Sequence, residues 1–485
     1  MTYNNVITEC DKMYKDTIKK ISENEYKIPV TGKMNVPGIV FVSEMLLKNV
    51  DENCLKQLAN IASLPGIVKK AIAMSDVHLG YGFPIGGVAA FDPKSGVISP
   101  GGVGYDINCG VRLLLVNLDM EEFMGKREQI LSEIYRNVPS GVGEESEFKI
   151  GPEDLNNLLD NGSEWALSKG FATKDDLDRT EDYGRIDGAD HSKISQRAKS
   201  RGKNQLGTVG AGNHFIEIQK VEEIFDERVS KAMGLKKGSV VVMLHTGSRG
   251  LGHQVASDYI QMMEKEYGID GLPDRELIYA PIESELGKDY RAAMAAAANF
   301  AFVNRQLITH QIRKSFAKFF PEAKLDLLYD VAHNIAKFEQ FVIDGKEVTL
   351  CVHRKGATRS FGPGRLELPE KYRGIGQPIL IPGSMGTFSY VLVGTETARS
   401  VSFASTAHGA GRVLSRSYAT RNLSLESVNA DLKQKDILIK AGSRKGILEE
   451  APEAYKDINE VVRVSDSLGI GKIVAKLKPL AVVKG

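Results

Sequence analysis

The sequence has little of what marks secreted or membrane proteins. Its few cysteines are widely separated and form no CxxC pair, which excludes a disulfide framework and favours a reducing, cytoplasmic location. They are Cys10, Cys54, Cys109 and Cys351. No apolar run reaches the roughly 18 residues of a membrane span, and the N-terminal residues lack the apolar segment of a secretory signal. We therefore expect a cytoplasmic protein with no membrane partner.

An excess of charge of either sign is also absent. The chain has 63 Lys and Arg against 62 Asp and Glu, a formal net charge of +1. Bulk charge thus gives no sign of nucleic acid binding, and any basic surface must be local. The best local candidate is the run 193–203, which contains basic but no acidic side chains and lies in a polar segment, 173–206, that we expect to be a mobile loop. Such a run is usually a solvated face.

Glycine is in excess, with 48 of 485 residues, about 10% against the usual ~7%. Between residues 71 and 116 these glycines flank short apolar runs, which predicts strands joined by tight loops. An Ala-rich segment at 291–319 predicts a long helix. We expect an α+β fold: one large mixed α/β domain over 1–485, with central β-sheets around a buried metal site and a helical appendage at roughly 285–345.

Most of the histidines stand in a distinctive setting. Six lie beside glycine or polar residues, where an imidazole can project into space that a ligand or a backbone can enter. Several such histidines converging from distant positions can assemble a metal site, although any single one could be a hydrogen-bonded core histidine. The six are His78, His214, His245, His333, His353 and His408.

A carboxylate and a thiol add to these candidate ligands. Asp106 and Cys109 follow a glycine-rich loop and are three residues apart, so that both side chains can reach one centre. A buried, inert cysteine is the alternative. Ligands of this softness favour zinc, iron or cobalt over manganese, and residue chemistry alone leaves the metal open.

Two glycine loops have the character of phosphate-binding loops. Residues 382–389, PGSMGTFS, follow an apolar strand and offer hydroxyls and free backbone N–H groups. Residues 409–412, GAGR, offer the same together with an arginine. Neither is a Walker A loop, and ordinary glycine turns are the alternative.

Together these residues resemble the RtcB family of RNA-splicing ligases over nearly the whole chain. The motifs that carry the resemblance are SDVHLGYGFPIGG at 75–87, GYDINCGVR at 104–112, GNHFIE at 212–217, HTGSRG at 245–250, HN at 333–334, HRKG at 353–356, GSMG at 383–386, HGAGR at 408–412 and KG at 484–485. The resemblance implies a GTP- and Mn²⁺-dependent ligase that acts through a histidine–GMP intermediate. Such enzymes join RNA 3′-phosphate or 2′,3′-cyclic phosphate ends to 5′-hydroxyl ends in tRNA splicing and RNA repair, and many work with an activating partner, archease.

The resemblance also implies a role for each motif. His408 would be the nucleophile that takes GMP from GTP, and Asp76 would orient its ring. One Mn²⁺ would be held by Cys109, His245 and His333, and the other by Asp106, Cys109 and His214. Residues implied for the guanine nucleotide are Asn213, His214, Glu217, His333, Asn334, Pro382, Gly383, Ser384, Met385, Ser389, Gly409, Ala410, Gly411, Tyr455 and Lys484. The residues that we expect to contact RNA are Lys199, Arg201, Lys203 and Arg412.

Two other functions compete with this one. In a calcineurin-like dinuclear metallophosphoesterase, DVH at 76–78 and GNH at 212–214 would be metal motifs. Against it, Phe215 stands where that family has an acid, and neither Cys109 nor His408 has a role. In a non-catalytic RNA-binding protein the basic run would suffice and no Cys/His/Asp cluster would be needed, so metal content distinguishes the two.

Overall fold

The computed structural model describes residues 14–141 and 143–485, and the following elements lie within these ranges. The α-helices are α1 (Tyr14–Thr17), α2 (Glu44–Lys48), α3 (Glu52–Ile61), α4 (Pro100–Val103), α5 (Met120–Asn137), α6 (Pro152–Asn161), α7 (Ser163–Ser168), α8 (Lys174–Leu177), α9 (Gln196–Gly202), α10 (Glu227–Met233), α11 (Arg249–Tyr267), α12 (Glu285–Ala317), α13 (Glu396–Ser402), α14 (Arg416–Asn422), α15 (Leu425–Gln434), α16 (Arg444–Glu449) and α17 (Ile458–Ser467). The β-strands are β1 (Lys19–Ser22), β2 (Glu25–Ile28), β3 (Gly38–Val40), β4 (Ile67–His78), β5 (Ile85–Phe91), β6 (Val97–Ile98), β7 (Gly110–Val116), β8 (Phe215–Ile224), β9 (Val240–Thr246), β10 (Ala280–Pro281), β11 (Leu325–Ala332), β12 (Asn334–Ile343), β13 (Lys346–Lys355), β14 (Ala357–Arg359), β15 (Pro378–Ile381), β16 (Ser389–Val393), β17 (Ser405–Ala407), β18 (Leu438–Ala441) and β19 (Lys472–Lys484).

The strands form two large sheets and two short pairs. One sheet has seven strands in the order β1-β2-β3-β4-β5-β13-β12. The other has eight, in the order β11-β7-β9-β8-β19-β16-β15 with β18 paired to β19. Strand β9 lies inside this second sheet, and alternate side chains of its apolar run enter two different hydrophobic clusters. Since both faces are covered, β9 is buried at every residue, as continuous β-branched runs predict.

Five strands of the eight-stranded sheet meet at one edge, which we call the site edge. Because neighbours are antiparallel, the start of β7 lies beside the ends of β9 and β11, and the start of β8 lies beside the ends of β9 and β19. His333 then links β11 to β12 of the seven-stranded sheet. Residues far apart in sequence are therefore brought together where the two sheets join.

The longest helix, α12, lies in the core, and most of its side chains are buried. Its Arg305 donates hydrogen bonds to the carbonyl oxygens of Asn108 (2.8 Å) and Thr246 (3.0 Å) at the site edge. A buried ion pair with Asp330 of β11 neutralises Arg305, as a buried charge requires. The segment expected as a helical appendage, 285–345, is thus helical only to Ala317, continues as β11 and β12, and supports the site edge from within the core.

The expected α+β class, with one large mixed domain and central sheets, is confirmed. The segment 173–206 is not the mobile loop that its polarity suggested, because it contains α8, α9 and short 3₁₀ turns. Ser195 caps α9 by accepting a hydrogen bond from the N–H of Ala198 at 3.1 Å. Across residues 14–141 and 143–485, none of the helices combines the length and apolar character needed to cross a membrane.

Candidate active site and metal centre

A buried polar pair of the site is formed by His408, which follows β17, and Asp76, near the end of β4. Nδ1 of His408 lies 2.6 Å from Oδ2 of Asp76, and the same oxygen accepts the backbone N–H of His408 at 2.9 Å. Burial alone would raise the pKa of Asp76, but the charge and hydrogen bonds of His408 lower it below its ordinary value. An ionised carboxylate that accepts from Nδ1–H leaves the lone pair on Nε2. The pair therefore presents a nucleophilic nitrogen.

Sulfur, nitrogen and oxygen donors converge at the site edge. Sγ of Cys109 lies 3.3 Å from Nε2 of His214 and 3.3 Å from Nε2 of His245. Nε2 of His245 is in turn 3.3 Å from Nε2 of His333, and Oδ2 of Asp106 is 2.9 Å from Nε2 of His214. These five residues are the ones that the family resemblance implied as metal ligands, and we call them the donor cluster.

The donor cluster has the chemistry of a metal site. His214 Nδ1 lies 3.0 Å from the carbonyl oxygen of Val209, so donation from Nδ1 would leave Nε2 free to bind a cation. Burial lowers the pKa of His245 and of His333 well below the ordinary value, which keeps both imidazoles neutral, as ligands must be. Burial also raises the pKa of the Cys109 thiol well above its usual range, and a bound cation would offset this by stabilising the thiolate.

Two glycines permit the close approaches within the site. A Cβ at Gly247 would lie 2.4 Å from a carboxylate oxygen of Asp106, so a side chain there would displace this carboxylate from His214. Gly411 has a φ of +73°, and a Cβ on it would lie 2.1 Å from the carbonyl oxygen of Asp76. Part of the glycine excess therefore serves the site directly.

The nucleotide residues implied by the resemblance surround the same cavity, whose volume is about 1400 Å³. Those that line it are Asn213, His214, His333, Asn334, Pro382, Gly383, Ser384, Met385, Gly409, Ala410, Gly411, Tyr455 and Lys484. Glu217 and Ser389 lie behind this lining, where Gln219 donates to both, at 2.7 and 3.0 Å. Burial raises the pKa of Glu217 to about 7, so this carboxyl can carry a proton near neutrality.

A buried carboxylate that the sequence analysis missed, Glu450, organises one wall of the cavity. It is 1% exposed and lies 3.1 Å from Arg412, 3.5 Å from Arg416 and 3.7 Å from Lys484. The hydroxyl of Tyr455 donates to it as well. Glu450 thus neutralises Arg412 inside the protein, which weakens the expectation that Arg412 contacts RNA. Nothing in the sequence around Glu450 predicts that its carboxylate is buried or that it pairs with these cations.

Two further basic residues line the cavity. Arg249, in the left-handed region with a φ of +55°, donates from Nε to the hydroxyl of Thr208 at 3.1 Å. Nζ of Lys355 donates to the carbonyl oxygen of Tyr81 at 2.6 Å, and burial lowers the pKa of Lys355 to about 7. The sequence could have indicated both residues, because Arg249 lies in the HTGSRG motif and Lys355 lies in the HRKG motif.

Not all six histidines belong to the site. His353 accepts a hydrogen bond from the N–H of Ser99 at 3.2 Å, and its ring packs against Phe83 and Phe91. His353 is therefore a hydrogen-bonded core histidine, which was the alternative to a metal ligand for each of the six. His78 does line the cavity, but its Nδ1 is held 3.0 Å from the carbonyl oxygen of Asp76.

The basic run begins at the end of a 3₁₀ turn, at Lys193, and continues through α9 to the residue after it. Its side chains differ in exposure. Lys199 is 8% exposed, and its Nζ donates to Asn156 at 2.8 Å. Arg201 lines the cavity and donates to Gln254 at 2.8 Å, whereas Lys203 is exposed. Because Lys199 is engaged within the protein, the hypothesis of RNA contact rests on Arg201 and Lys203.

Known proteins are similar to this chain over nearly its whole length. The profile of the family described as "tRNA-splicing ligase RtcB" matches residues 57–485, a range that contains the entire candidate site. Curated relatives of that name include one from Nanoarchaeum equitans (strain Kin4-M), 52% identical over 474 residues, which are 96% of this chain and 99% of the relative. One from Methanococcus maripaludis is 50% identical over 480 residues, 97% of this chain and 100% of the relative. One from Thermococcus kodakarensis is 50% identical over 477 residues, 96% and 99% of the two chains.

Proposed function

Since the chain belongs to the RtcB family and is an RNA ligase, we propose that it joins RNA 3′-phosphate or 2′,3′-cyclic phosphate ends to 5′-hydroxyl ends, in tRNA splicing and RNA repair, with GTP as co-substrate. The observation that carries this proposal is the His408–Asp76 pair, which opens into the cavity that the donor cluster and two phosphate-type loops line. A metallophosphoesterase is disfavoured because it gives Cys109 and His408 no role.

His408 acts as the nucleophile. Its Nε2 attacks the α-phosphorus of GTP, a phosphorus–nitrogen bond forms, and pyrophosphate leaves. The ring becomes positively charged as the bond forms, and the carboxylate of Asp76 on Nδ1–H stabilises that charge. Asp76 cannot turn away readily, because Oδ2 also accepts the backbone N–H groups of His408 and Gly409.

The guanylate then passes to the RNA. An oxygen of the 3′-phosphate takes GMP from His408 and forms an anhydride, and the 5′-hydroxyl oxygen attacks the 3′-phosphorus and expels GMP. A 2′,3′-cyclic phosphate is first opened by water to the 3′-phosphate. The cavity can hold a nucleotide and an RNA end together, since pockets for one small ligand measure roughly 300–1,000 Å³ and this cavity measures about 1400 Å³.

The donor cluster is the site that we assign to two Mn²⁺ ions, which would neutralise phosphate charge and activate water. Cys109 is central because its Sγ contacts both His214 and His245. Arg305 holds this region by binding the carbonyl groups of the turn before β7 and of the end of β9. Cys109 would therefore be held in a position from which its thiolate could bind either ion.

The guanine nucleotide is held by the wall that Glu450 organises. Lys484 and Tyr455 face the cavity from this wall, with Glu217 and Ser389 behind. Asn334 has a different part, because its amide donates to the carbonyl oxygen of Asp106 at 3.1 Å and accepts the N–H of Gly356 at 2.8 Å. It positions the donor cluster and the HRKG motif as well as any ligand.

A cytoplasmic location and activation by archease complete the proposal. In the part of the chain that the structure describes, Cys54, Cys109 and Cys351 are free thiols, which supports a reducing compartment. Cys10 lies outside the described residues.

The experiment is incubation with Mn²⁺ and GTP radiolabelled on the α-phosphate, then denaturing electrophoresis, with labelled ATP as the control. We expect covalent label from GTP that is acid-labile and base-stable, as a phosphorus–nitrogen bond is. Addition of RNA with 3′-phosphate and 5′-hydroxyl ends should discharge the label and yield joined RNA. Joining without labelled protein would reject the histidine–GMP route, and labelled protein that never joins these ends would reject the proposed substrates.

A further inference from the structure

Aromatic rings that the proposed mechanism does not use stand at the rim of the cavity. Tyr81 is 65% exposed, and its ring meets Tyr105 edge to face, with centroids 6.0 Å apart and an interplanar angle of 83°. Tyr105 in turn stacks on His253, with centroids 4.8 Å apart and planes 25° apart. All three rings line the cavity. The rim thus carries a connected aromatic surface with one highly exposed ring.

This surface is held in place by polar contacts. The Tyr105 hydroxyl donates to Glu276 at 3.1 Å, which fixes the middle ring. Nζ of Lys355 donates to the Tyr81 carbonyl oxygen at 2.6 Å, which fixes the backbone of the outer ring. An exposed aromatic side chain on an ordered backbone is prepared to bind a flat ligand with little loss of conformational entropy.

Cationic side chains accompany the rings. Arg201 and Arg249 line the same cavity, and Arg201 comes from the helix that packs on α11, which carries both Arg249 and His253. Ring faces beside guanidinium groups are the combination by which proteins bind single-stranded nucleic acid, since rings stack on bases and cations contact phosphates. Guanine of GTP has its own proposed wall around Glu450 and Lys484, so the rings are left for the RNA.

We propose that Tyr81, Tyr105 and His253 form a stacking platform for an unpaired base of the RNA strand next to the ligation junction, with Arg201 and Arg249 at the phosphates beside that base. This inference rests on the RNA ligase function. Tyr105 immediately precedes Asp106 of the donor cluster, so a base on the platform brings its strand end to the reacting centre. Tyr81 and His253 are positioning residues here, and a strand end with an unpaired base is preferred over one without.

The test measures binding of two oligonucleotides separately, one with a 5′-hydroxyl end and one with a 3′-phosphate end, by fluorescence anisotropy. Each is used intact and with an abasic site at one of the first three positions. We expect Tyr81→Ala to weaken binding of the strand that uses the platform by roughly 10-fold, since base–aromatic stacking has about that effect. Tyr81→Phe should retain the affinity. The control is Phe225→Ala, which removes a ring that is 48% exposed and outside the cavity lining.

Paired perturbations separate stacking from a structural effect. For the strand on the platform, an abasic site at the stacked position should weaken wild-type binding as much as Tyr81→Ala does, with no further loss when both changes are combined. Unchanged affinity of Tyr81→Ala for both strands would overturn the proposal, and so would an equal loss on intact and on every abasic strand. Wild-type labelling by GTP tests the proposed function separately: absent label with the stacking pattern intact would reject the histidine–GMP route and leave the platform standing.

Discussion

Two histidine–aspartate pairs in this molecule have the same Nδ1–carboxylate distance but differ in their surroundings. In the pairs His408–Asp76 and His191–Asp160, Nδ1 of the histidine lies 2.6 Å from a carboxylate oxygen. In each pair the aspartate also accepts the backbone N–H of its histidine, at 2.9 Å and 2.8 Å respectively. The side chains of the first pair are 9% and 0% exposed, and those of the second are 35% and 33% exposed. Pair geometry alone therefore cannot distinguish a nucleophile.

The surroundings make the distinction. The His408 ring centroid lies 4.7 Å from that of His333 in the donor cluster, and glycine loops flank the cavity before it. His191 stands on a short 3₁₀ turn on the surface, near a second carboxylate, Asp190. A partly exposed hydrogen-bonded pair of this kind contributes roughly 0.5–1.5 kcal/mol to stability. We therefore propose that the buried pair serves chemistry, whereas the partly exposed pair fastens a surface segment.

The largest expected difference is in covalent labelling. His408→Ala should abolish guanylation, because it removes the nitrogen that forms the bond to phosphorus. His191→Ala removes a histidine of the same pair geometry and should label as the wild type does. Both are measured with α-labelled GTP and Mn²⁺ on folded protein. Label that persists on His408→Ala would show that the nucleophile lies elsewhere.

Loss of the central thiol should be nearly as severe. Cys109→Ala should abolish guanylation and ligation and reduce bound metal, because Sγ contacts both halves of the donor cluster. Cys351→Ala is the matched control, since this thiol is also buried but lies in β13 away from the cluster, and it should cost stability only. Metal content by mass spectrometry decides the matter: a normal content in Cys109→Ala would contradict the assignment.

A more graded comparison replaces the carboxylate of each pair by an amide. Asp76→Asn should slow guanylation by roughly 10²- to 10⁴-fold, because an amide neither fixes the tautomer nor stabilises the charged ring. Asp160→Asn should change the rate less than about 2-fold and affect only local stability. Single-turnover labelling rates give both numbers. Equal rate losses in the two variants would mean that burial and neighbours do not distinguish the pairs.

Glu217 adds a buried carboxyl with the opposite pKa shift. Burial raises its pKa from the ordinary 4.5 to about 7, whereas His408 lowers that of Asp76. Between pH 4.5 and about 7, Glu217 keeps a proton in the folded state that it releases in the unfolded chain. The contribution of Glu217 to stability therefore falls as the pH rises through this range. The Asp76 contribution is instead present above the ordinary pKa of aspartate and lost as pH falls.

Glu217→Gln should remove this dependence. The free energy of unfolding of the variant minus that of the wild type should rise by up to about 3 kcal/mol from pH 5 to pH 8. Urea unfolding at the two pH values measures this difference. The control is Glu339→Gln, which replaces a buried carboxylate that is paired with Arg354. This variant should be less stable than the wild type at both pH values. The same wild-type-to-variant difference for Glu217→Gln at pH 5 and 8 would contradict the raised pKa.

The sequence predicted which side chains lie together better than it predicted the positions of the residues that support them. Cys109 and His333 lie beside ends of strands, and His245 lies in the last part of β9. The apolar sequence of each strand can be recognised locally, so the convergence of the three side chains follows once the strands pair antiparallel. The core position of α12 does not follow, because an Ala-rich helix has no marked polar face and only tertiary packing decides whether it is central. Likewise Lys199 reads as one of a basic run, but its contact with Asn156 depends on α6 lying beside it. Glu450 was invisible because its partners come from distant segments.

The smallest expected effect concerns α9, which begins five residues after His191 of the partly exposed pair. If this segment serves RNA binding, replacing Arg201 and Lys203 together by serine should weaken RNA binding and joining but leave guanylation unchanged. Each lost contact with a single-stranded phosphate should reduce the log–log salt slope of affinity by roughly 0.7. The double variant should thus lose about 1.4 in slope, again assuming about 0.7 per contact.

A filter-binding titration at several salt concentrations measures that slope, with Lys236→Ser/Lys237→Ser as the control that removes two exposed charges outside the cavity lining. Arg201 lines the cavity but already donates to Gln254, whereas Lys203 is exposed, so the single variants should divide the effect unequally. A slope equal to that of the control would mean that α9 is only a solvated face. The exposed His191–Asp160 pair would then fasten a surface segment with no part in RNA binding, and the contrast with His408–Asp76 would be complete.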